Sequence, residues 1–180
     1  MNKHPINIVI DLETLDTEPT AQIISIGAFC METESEFYVR IIPDPDPRFT
    51  VSKFTLDWWD LQSTAAREEA FGGDVDIKTA LEMFTGWVCQ HTNIRMWGNG
   101  TMFDNAILLH AYKVLGLPAP WSYRADMCYR TLKNLRPDVE AQAFIGMKHT
   151  ALADAKHEAR HLRRLLQATV PRTDCSESVS

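Results

Sequence analysis

The sequence predicts an α/β domain: a mixed β-sheet, with three antiparallel strands extended by parallel ones, flanked by helices. Three observations predict it. Short β-rich runs fill the chain up to Ile42. The apolar period then changes from alternation to the three-to-four spacing of helices. Past Gln90, strand-like and helix-like runs alternate, the pattern that feeds parallel strands through helical crossovers.

The elements follow in order. Asn7 to Ile10 is a short β-rich run that ends at Asp11. Gln22 to Phe29 is a second, with Ile23, Ile24, Ile26 and Ala28 suited to a buried strand. Glu36 to Ile42 is a third, with Phe37, Val39 and Ile41 alternating onto one face. Short links between them predict an antiparallel meander. Pro43-Asp44-Pro45-Asp46-Pro47 cannot continue a ladder and reads as a loop. Thr55 to Leu61 and Thr64 to Phe71 read as short helices, broken by Gly72-Gly73. Ile77 to Gln90 is a longer helix, its apolar set Ile77, Leu81, Phe84 and Val88 at helical spacing. Ile94 to Trp97 is a fourth strand. Asn105 to Leu115 is a helix closed by Gly116, with Pro118 just beyond. Trp121 to Ala125 reads as a fifth strand, feeding a helix over Met127 to Leu135. Ala151 to Ala168 is the last long helix. From Pro171 the chain is polar, so a single domain is expected over 1–170 and a disordered tail over 171–180.

An apolar share of 45% and a charged share of 23% fit an ordinary globular protein. No apolar run is long enough for a membrane helix, and the first apolar run meets Asp11 too soon for a signal peptide. Cys30, Cys89, Cys128 and Cys175 are scattered without C-x-x-C spacing, which reads as reduced thiols of a cytoplasmic protein. The net charge of −6 argues against long, tight, nonspecific duplex binding. Two bound Mg²⁺ would cut it to −2 and put positive charge where a phosphate must sit. That balance suits an enzyme gripping a short single-stranded end.

Four carboxylates and one imidazole fall in a fixed order: Asp11-Leu12-Glu13-Thr14, then Met102-Phe103-Asp104, then His149 with Asp154 five positions on. Strand alternation puts Asp11 and Glu13 on one face while Leu12 turns into the core. Asp104 follows the fourth strand and Asp154 lies in the first turn of the last helix, and α/β sites gather at strand ends. This is the inventory of a two-metal phosphodiesterase, with Asp11, Glu13, Asp104 and Asp154 as hard oxygen ligands of two Mg²⁺. His149 is the candidate general base, since an unperturbed imidazole titrates at roughly 6.5. Taken singly, Asp11, Glu13 and Asp104 read better as helix caps or surface acids, and His149 as a residue flanking a helix N-terminus. The ordered set carries the reading.

The segments Val9-Ile10-Asp11-Leu12-Glu13-Thr14, Gly98-Asn99-Gly100-Thr101-Met102-Phe103-Asp104 and His149-Thr150-Ala151-Leu152-Ala153-Asp154-Ala155 resemble the three motifs of the DEDD 3′–5′ exonuclease superfamily. The His-x4-Asp spacing resembles its DEDDh branch, which has the ribonuclease H-like fold. Thr55-Leu56-Asp57-Trp58-Trp59 with Ala65-Ala66-Arg67, Trp97-Gly98-Asn99-Gly100, and Asp126 with Arg130-Thr131-Leu132 resemble a bacterial and phage 3′–5′ exoribonuclease group that includes a polyadenylate-specific ribonuclease. One departure stands out: Gly100 occupies a position where many relatives carry Asn, with Asn99 one step earlier. The resemblance implies that the four acids bind two Mg²⁺ or Mn²⁺, that His149 activates the attacking water, and that 5′-mononucleotides leave one at a time from single-stranded RNA 3′ ends. It leaves a homodimer open. The same chemistry on DNA is the alternative, and a non-catalytic nucleic-acid-binding module on this fold is the third reading.

On the substrate side, Thr14 and Leu15 are candidates for contact with the terminal nucleotide, and Asn99 is the polar candidate of the second motif. Trp58 and Trp59 offer base-stacking faces worth about 1–3 kcal/mol each, against a reading in which one of them is core. Phe103 is read as core behind Asp104. Arg67, Arg124, Arg130 and Lys148 are phosphate-contact candidates, each weighed against a solvated face. His157-Glu158-Ala159-Arg160-His161 spells the H-E-x-x-H of zinc proteases. On a helical wheel Leu152, Ala155, Ala159, Leu162 and Leu166 form the core face, which sends His157 and His161 toward solvent and puts Asp154 at its edge. Downstream acids for a third zinc ligand are confined to Asp174 and Glu177.

Overall fold

Strand β1 (Ile6–Thr14) organises the sheet because both of its faces are covered. On one side it pairs antiparallel with β2 (Ile23–Cys30), which pairs antiparallel with β3 (Glu36–Arg40), giving the expected meander. On the other side β4 (Ile94–Gly98) runs parallel to β1, and β5 (Asp126–Cys128) runs parallel to β4, so the order is β3-β2-β1-β4-β5. The helices are α1 (Lys53–Asp60), α2 (Thr64–Phe71), α3 (Ile77–Val88), α4 (Ala106–Val114), α5 (Tyr129–Leu135) and α6 (Ala151–Thr169). A π-helical turn, Thr101–Asn105, leads into α4, and a 3₁₀ turn, Tyr123–Ala125, leads into β5. This computed structural model describes residues 5–169. The expected tail over 171–180, Cys175, and the acids Asp174 and Glu177 lie outside the described residues.

Alternation along β1 sorts the two cores. Ile8, Ile10 and Leu12 face a cluster containing Leu81 and Phe84 of α3 and Ile107 and Leu108 of α4. Val9, one residue out of phase, faces a second cluster with Tyr129 of α5 and Ala155, Ala159, Leu162 and Leu165 of α6. Asp11 and Glu13 continue the Val9 row, so they face α6. A third cluster of Leu15, Ile24, Trp59 and Ala70 fastens α1 and α2 beside the end of β1.

Two departures from the sequence expectation go beyond a residue or two at an element's end. The first strand does not stop before Asp11. It continues to Thr14 because β2 supplies partners, Asp11 opposite Gly27 and Glu13 opposite Ser25, with a bulge between Glu13 and Thr14. Trp121 to Ala125 is not a strand. Trp121 is buried and gives its indole N–H to Asp126 at 2.9 Å, while β4 pairs with the next three residues, Asp126 to Cys128. Aromatic content mimicked a strand there, whereas ladder geometry chose the neighbouring segment. Among the described residues no helix is long and apolar enough to cross a membrane.

Candidate active site

The parallel ladder between β1 and β4 runs from Ile6 opposite Ile94 to Val9 opposite Trp97 and then ends. Past that point the strands part, and the crevice between parallel strand ends is where α/β folds bind ligands. The Leu12 N–H therefore has no β4 carbonyl to meet. Asp104, carried over by the π-helical turn, takes it instead, its Oδ1 accepting at 3.3 Å. Asp104 is 1% exposed and its Oδ2 has no partner. Gly100 opens this turn at φ +132, a conformation that L side chains rarely adopt and that glycine takes freely.

The remaining acids come from β1 and α6. Gly27, opposite Asp11 on β2, lets the first turn of α6 press onto the sheet: a Cβ there would lie 2.2 Å from both the Ala151 carbonyl carbon and the Leu152 nitrogen. That approach brings Asp154 to the β1 row. One oxygen from each of Asp11, Glu13 and Asp154 lies within 4.8 Å of the others. Glu158, one helical turn past Asp154, lines the same cavity and is 6% exposed. The sequence reading passed over Glu158. Its i+4 spacing from Asp154 was the signal that could have found it.

His161 corrects the wheel. It does not face solvent, being buried between α5 and the segment before α6. Its Nδ1 accepts from the Tyr129 hydroxyl at 2.7 Å, and its Nε2–H donates to the Val139 carbonyl at 2.7 Å. With both nitrogens satisfied inside the protein, it cannot ligate zinc as the H-E-x-x-H spelling would require.

His149 precedes α6 in a left-handed conformation at φ +62. Its backbone N–H donates to Asp154 Oδ2 at 2.8 Å, which ties the loop to the helix that carries the acid. Its ring meets Trp58 edge to face, centroids 4.9 Å apart. Trp58 is exposed and lines the cavity. Trp59 is buried and donates its indole N–H to the Thr14 carbonyl at 3.0 Å, so it holds the end of β1 in place. Thr14 lines the cavity and its hydroxyl donates to the Asp16 carbonyl at 2.7 Å. Asn99 also lines the cavity, and its Oδ1 accepts from Arg130 Nε at 3.5 Å. Leu15 is buried in the third core cluster and does not line the cavity. Phe103 packs against the main core and reaches the cavity wall. Phe54, an exposed aromatic that lines the cavity from α1, was not singled out in the sequence. The cavity measures about 370 Å³, and Asp11, Glu13, His149, Asp154 and Glu158 all line it.

Burial and mutual repulsion dominate the electrostatics. Burial, then the charges of Asp104, Glu158, Glu13 and Asp154, pushes Asp11 well above the usual carboxylate range. Burial, then Asp154 and Asp104, pushes Glu13 up to about 8. Burial pushes Asp104 up to about 7, against N–H groups of Asn99, Asp104 and Leu12 that hold it down. Burial raises Asp154 too, offset by the His149 N–H. Carboxylates crowded this way relax when a cation joins them. The donors are all hard oxygens, and Asp104 Oδ2 is a buried oxygen without a partner. The residues therefore fit a divalent cation of the Mg²⁺ or Mn²⁺ kind.

Residues 6–166 match the family model described as the 3′-5′ exoribonuclease Rv2179c-like domain. The chain belongs to this family. It is accordingly a 3′–5′ exonuclease, a hydrolase, and its fold is the ribonuclease H-like fold of DEDDh exonucleases. The nuclease domain of 3′hExo, described as a DEDDh family member bound to rAMP, superposes with a TM-score of 0.64 at 15% identity, over 93% of this chain and 94% of that one. E. coli Exonuclease I, in complex with a 5cy-dT13 oligonucleotide, gives 0.65 at 16% identity, over 94% of this chain and 42% of that one. Exonuclease X, with 5′ overhanging duplex DNA, gives 0.58 at 14% identity, over 91% of this chain and 92% of that one. No curated protein sequence matches the chain significantly.

Proposed function

We propose that the chain is a metal-dependent 3′–5′ exoribonuclease that removes 5′-mononucleotides from single-stranded RNA ends. The observation that carries this reading is the convergence of Asp11, Glu13 and Asp154 oxygens within 4.8 Å in a cavity that His149 also lines. Asp11, Glu13, Asp104 and Asp154 would hold two Mg²⁺, with Mn²⁺ as substitute. When bound, such ions supply charge stabilisation for the attacking and leaving oxygens of the phosphodiester.

The residues contribute the rest. His149 takes the proton of the attacking water, from a loop position fixed by its N–H bond to Asp154. Asp104, tied to the Leu12 N–H, keeps the mouth of the crevice at a set width. Trp58 and Phe54 give aromatic surface to the terminal bases. Thr14 and Asn99 offer polar groups to the last sugar and phosphate, and Trp59 keeps Thr14 in place. A volume of about 370 Å³ is on the scale of a single nucleotide unit, which favours trimming from an end over cutting within a strand. The free thiols Cys30, Cys89 and Cys128 suit the reducing cytoplasm.

The description of the matching family favours RNA. A second reading, the same hydrolysis on DNA, draws on two structural neighbours described with DNA oligonucleotides. The deciding experiment uses matched 5′-labelled RNA and DNA oligomers with Mg²⁺ or with EDTA. A ladder shortening from the 3′ end on RNA alone, abolished by EDTA, is the expected result. Shortening of DNA alone would transfer the proposal to the second reading. Internal cuts in either would contradict both.

A further inference from the structure

Glu158 belongs to none of the three acidic motifs, yet it is placed like a ligand. It is 6% exposed, lines the cavity beside Asp11 and Asp154, and its Oε2 has no hydrogen-bond partner. Asp104 Oδ2 is a second buried carboxylate oxygen in the same condition. Unpartnered buried carboxylate oxygens are costly, and native proteins keep few of them without a reason. Both acids fall outside the triangle formed by the Asp11, Glu13 and Asp154 oxygens. Both nevertheless add to the negative charge that holds Asp11 above the usual carboxylate range, after burial. Glu158 shares the cavity wall with Asp11, and Asp104 is tied at 3.3 Å to the N–H of Leu12, the residue next to Asp11.

We propose that Glu158 is a fifth carboxylate ligand, which holds the second divalent cation together with Asp11 and Asp104 while Glu13 and Asp154 serve the first with Asp11. This inference rests on the two-cation reading above and deepens it. A cation at that position would give both orphaned oxygens a partner in a single step. The added negative charge would also let the second ion bind before nucleic acid arrives, instead of waiting for a substrate phosphate to complete its shell. The charges of Lys133 and Arg130 lower Glu158 and Asp104 respectively, in part offsetting what burial raises.

The test counts Mn²⁺ on the nucleic-acid-free chain by titration followed with electron paramagnetic resonance. The proteins are the wild type, Glu158→Gln and Glu158→Asp. Wild type should bind two ions per chain. Glu158→Gln, which keeps shape but loses charge, should keep the first and weaken the second by about tenfold or more, at least what loss of an outer partner costs a metal site. Glu158→Asp should fall between them. Melting in EDTA confirms that each variant is folded, and the aspartate variant keeps the test open if the glutamine variant is not. If the wild type and both variants bind two ions with equal affinity, the assignment of Glu158 falls and the two-cation reading stands. If the wild type binds a single ion even with a 5′-nucleotide added, the two-cation reading falls and this inference with it.

Discussion

At the scale of single residues, His149 is the position with least freedom to be anything else. A left-handed backbone costs an L residue about 1–2 kcal/mol, and His149 adopts it at φ +62. The bond from its N–H to Asp154 and the edge of Trp58 hold it there. Strain of this kind persists where the surroundings over-determine it, commonly at active sites. His149→Ala should therefore lower kcat by roughly 10²–10⁴-fold, the usual share of a general base. The melting temperature should change little, since the half-exposed ring contributes little to the core. Single-turnover hydrolysis of a labelled oligomer, with melting in parallel, checks both, and near-wild-type turnover would remove His149 from the mechanism. Trp58→Ala should weaken binding of single strands by an amount equivalent to about 1–3 kcal/mol, read as a rise in KM. The convergence of Asp11, Glu13, Asp154 and His149 on one cavity was legible in the sequence because the proposed chemistry ties residue type to spacing. Leu15, which lies outside the cavity lining, was not separable from Trp59, which is buried yet lines it, because a strand end and a short helix give no period long enough to say which side chain turns where. Glu158 was hidden by a decoy spelling despite its i+4 spacing from Asp154, and the bonds of His161 to Tyr129 and Val139 remove the decoy.

At the scale of elements, the site depends on how closely α6 approaches β2. Gly27 allows that contact, and the backbone atoms of Ala151 and Leu152 fill the space where a Cβ would be. Backbone cannot rotate aside as a long side chain can, so Gly27→Ala must lift the first turn of α6 and carry Asp154 away from Asp11 and Glu13. Overpacking of this sort costs typically about 1–3 kcal/mol. The expected outcome is a lower melting temperature in EDTA together with loss of the extra stability that Mn²⁺ gives the wild type. A Gly27→Ala protein that gains as much from Mn²⁺ as the wild type would show that the close approach is not what assembles the cluster. The elements themselves were largely legible, since alternation and helical spacing report which faces are buried. Their ends were not. β1 runs on past Asp11 because β2 offers a partner, and β5 begins at Asp126 because β4 pairs there. Both decisions belong to tertiary neighbours that no local pattern contains.

At the scale of the molecule, the fold holds together a set of like charges that it must either neutralise with protons or share with cations. Glu13 is raised from its ordinary 4.5 to about 8, and Asp104 from 3.8 to about 7, both by burial first. Below about pH 4 the native and unfolded chains both hold these protons, and the acids cost the fold nothing. Between that point and about pH 8 the native chain binds more protons than the unfolded one, so stability falls as pH rises. The lowered carboxylates Asp46, Asp76 and Asp138 pull the other way, but only as pH drops toward their own, more acidic range. A scan from pH 5 to pH 8.5 in EDTA reads the cluster against a smaller opposing rise, completed by about pH 6.5, from His91 and His157, whose imidazoles burial holds below their ordinary range. The melting temperature should decline across it, each 1 kcal/mol lost corresponding to about 2–4 °C in a chain of this size. Saturating Mg²⁺ should reverse the decline, because cation and protons compete for the same oxygens and an ion at about 100 times its Kd adds about 2.7 kcal/mol. The gain from Mg²⁺ at pH 8 should then exceed the gain at pH 5.5, with Asp11→Asn reducing both the slope in EDTA and the gain. A melting temperature that stays level in EDTA, with a gain from Mg²⁺ that is the same at every pH, would mean that the five acids do not titrate as one cation-binding group.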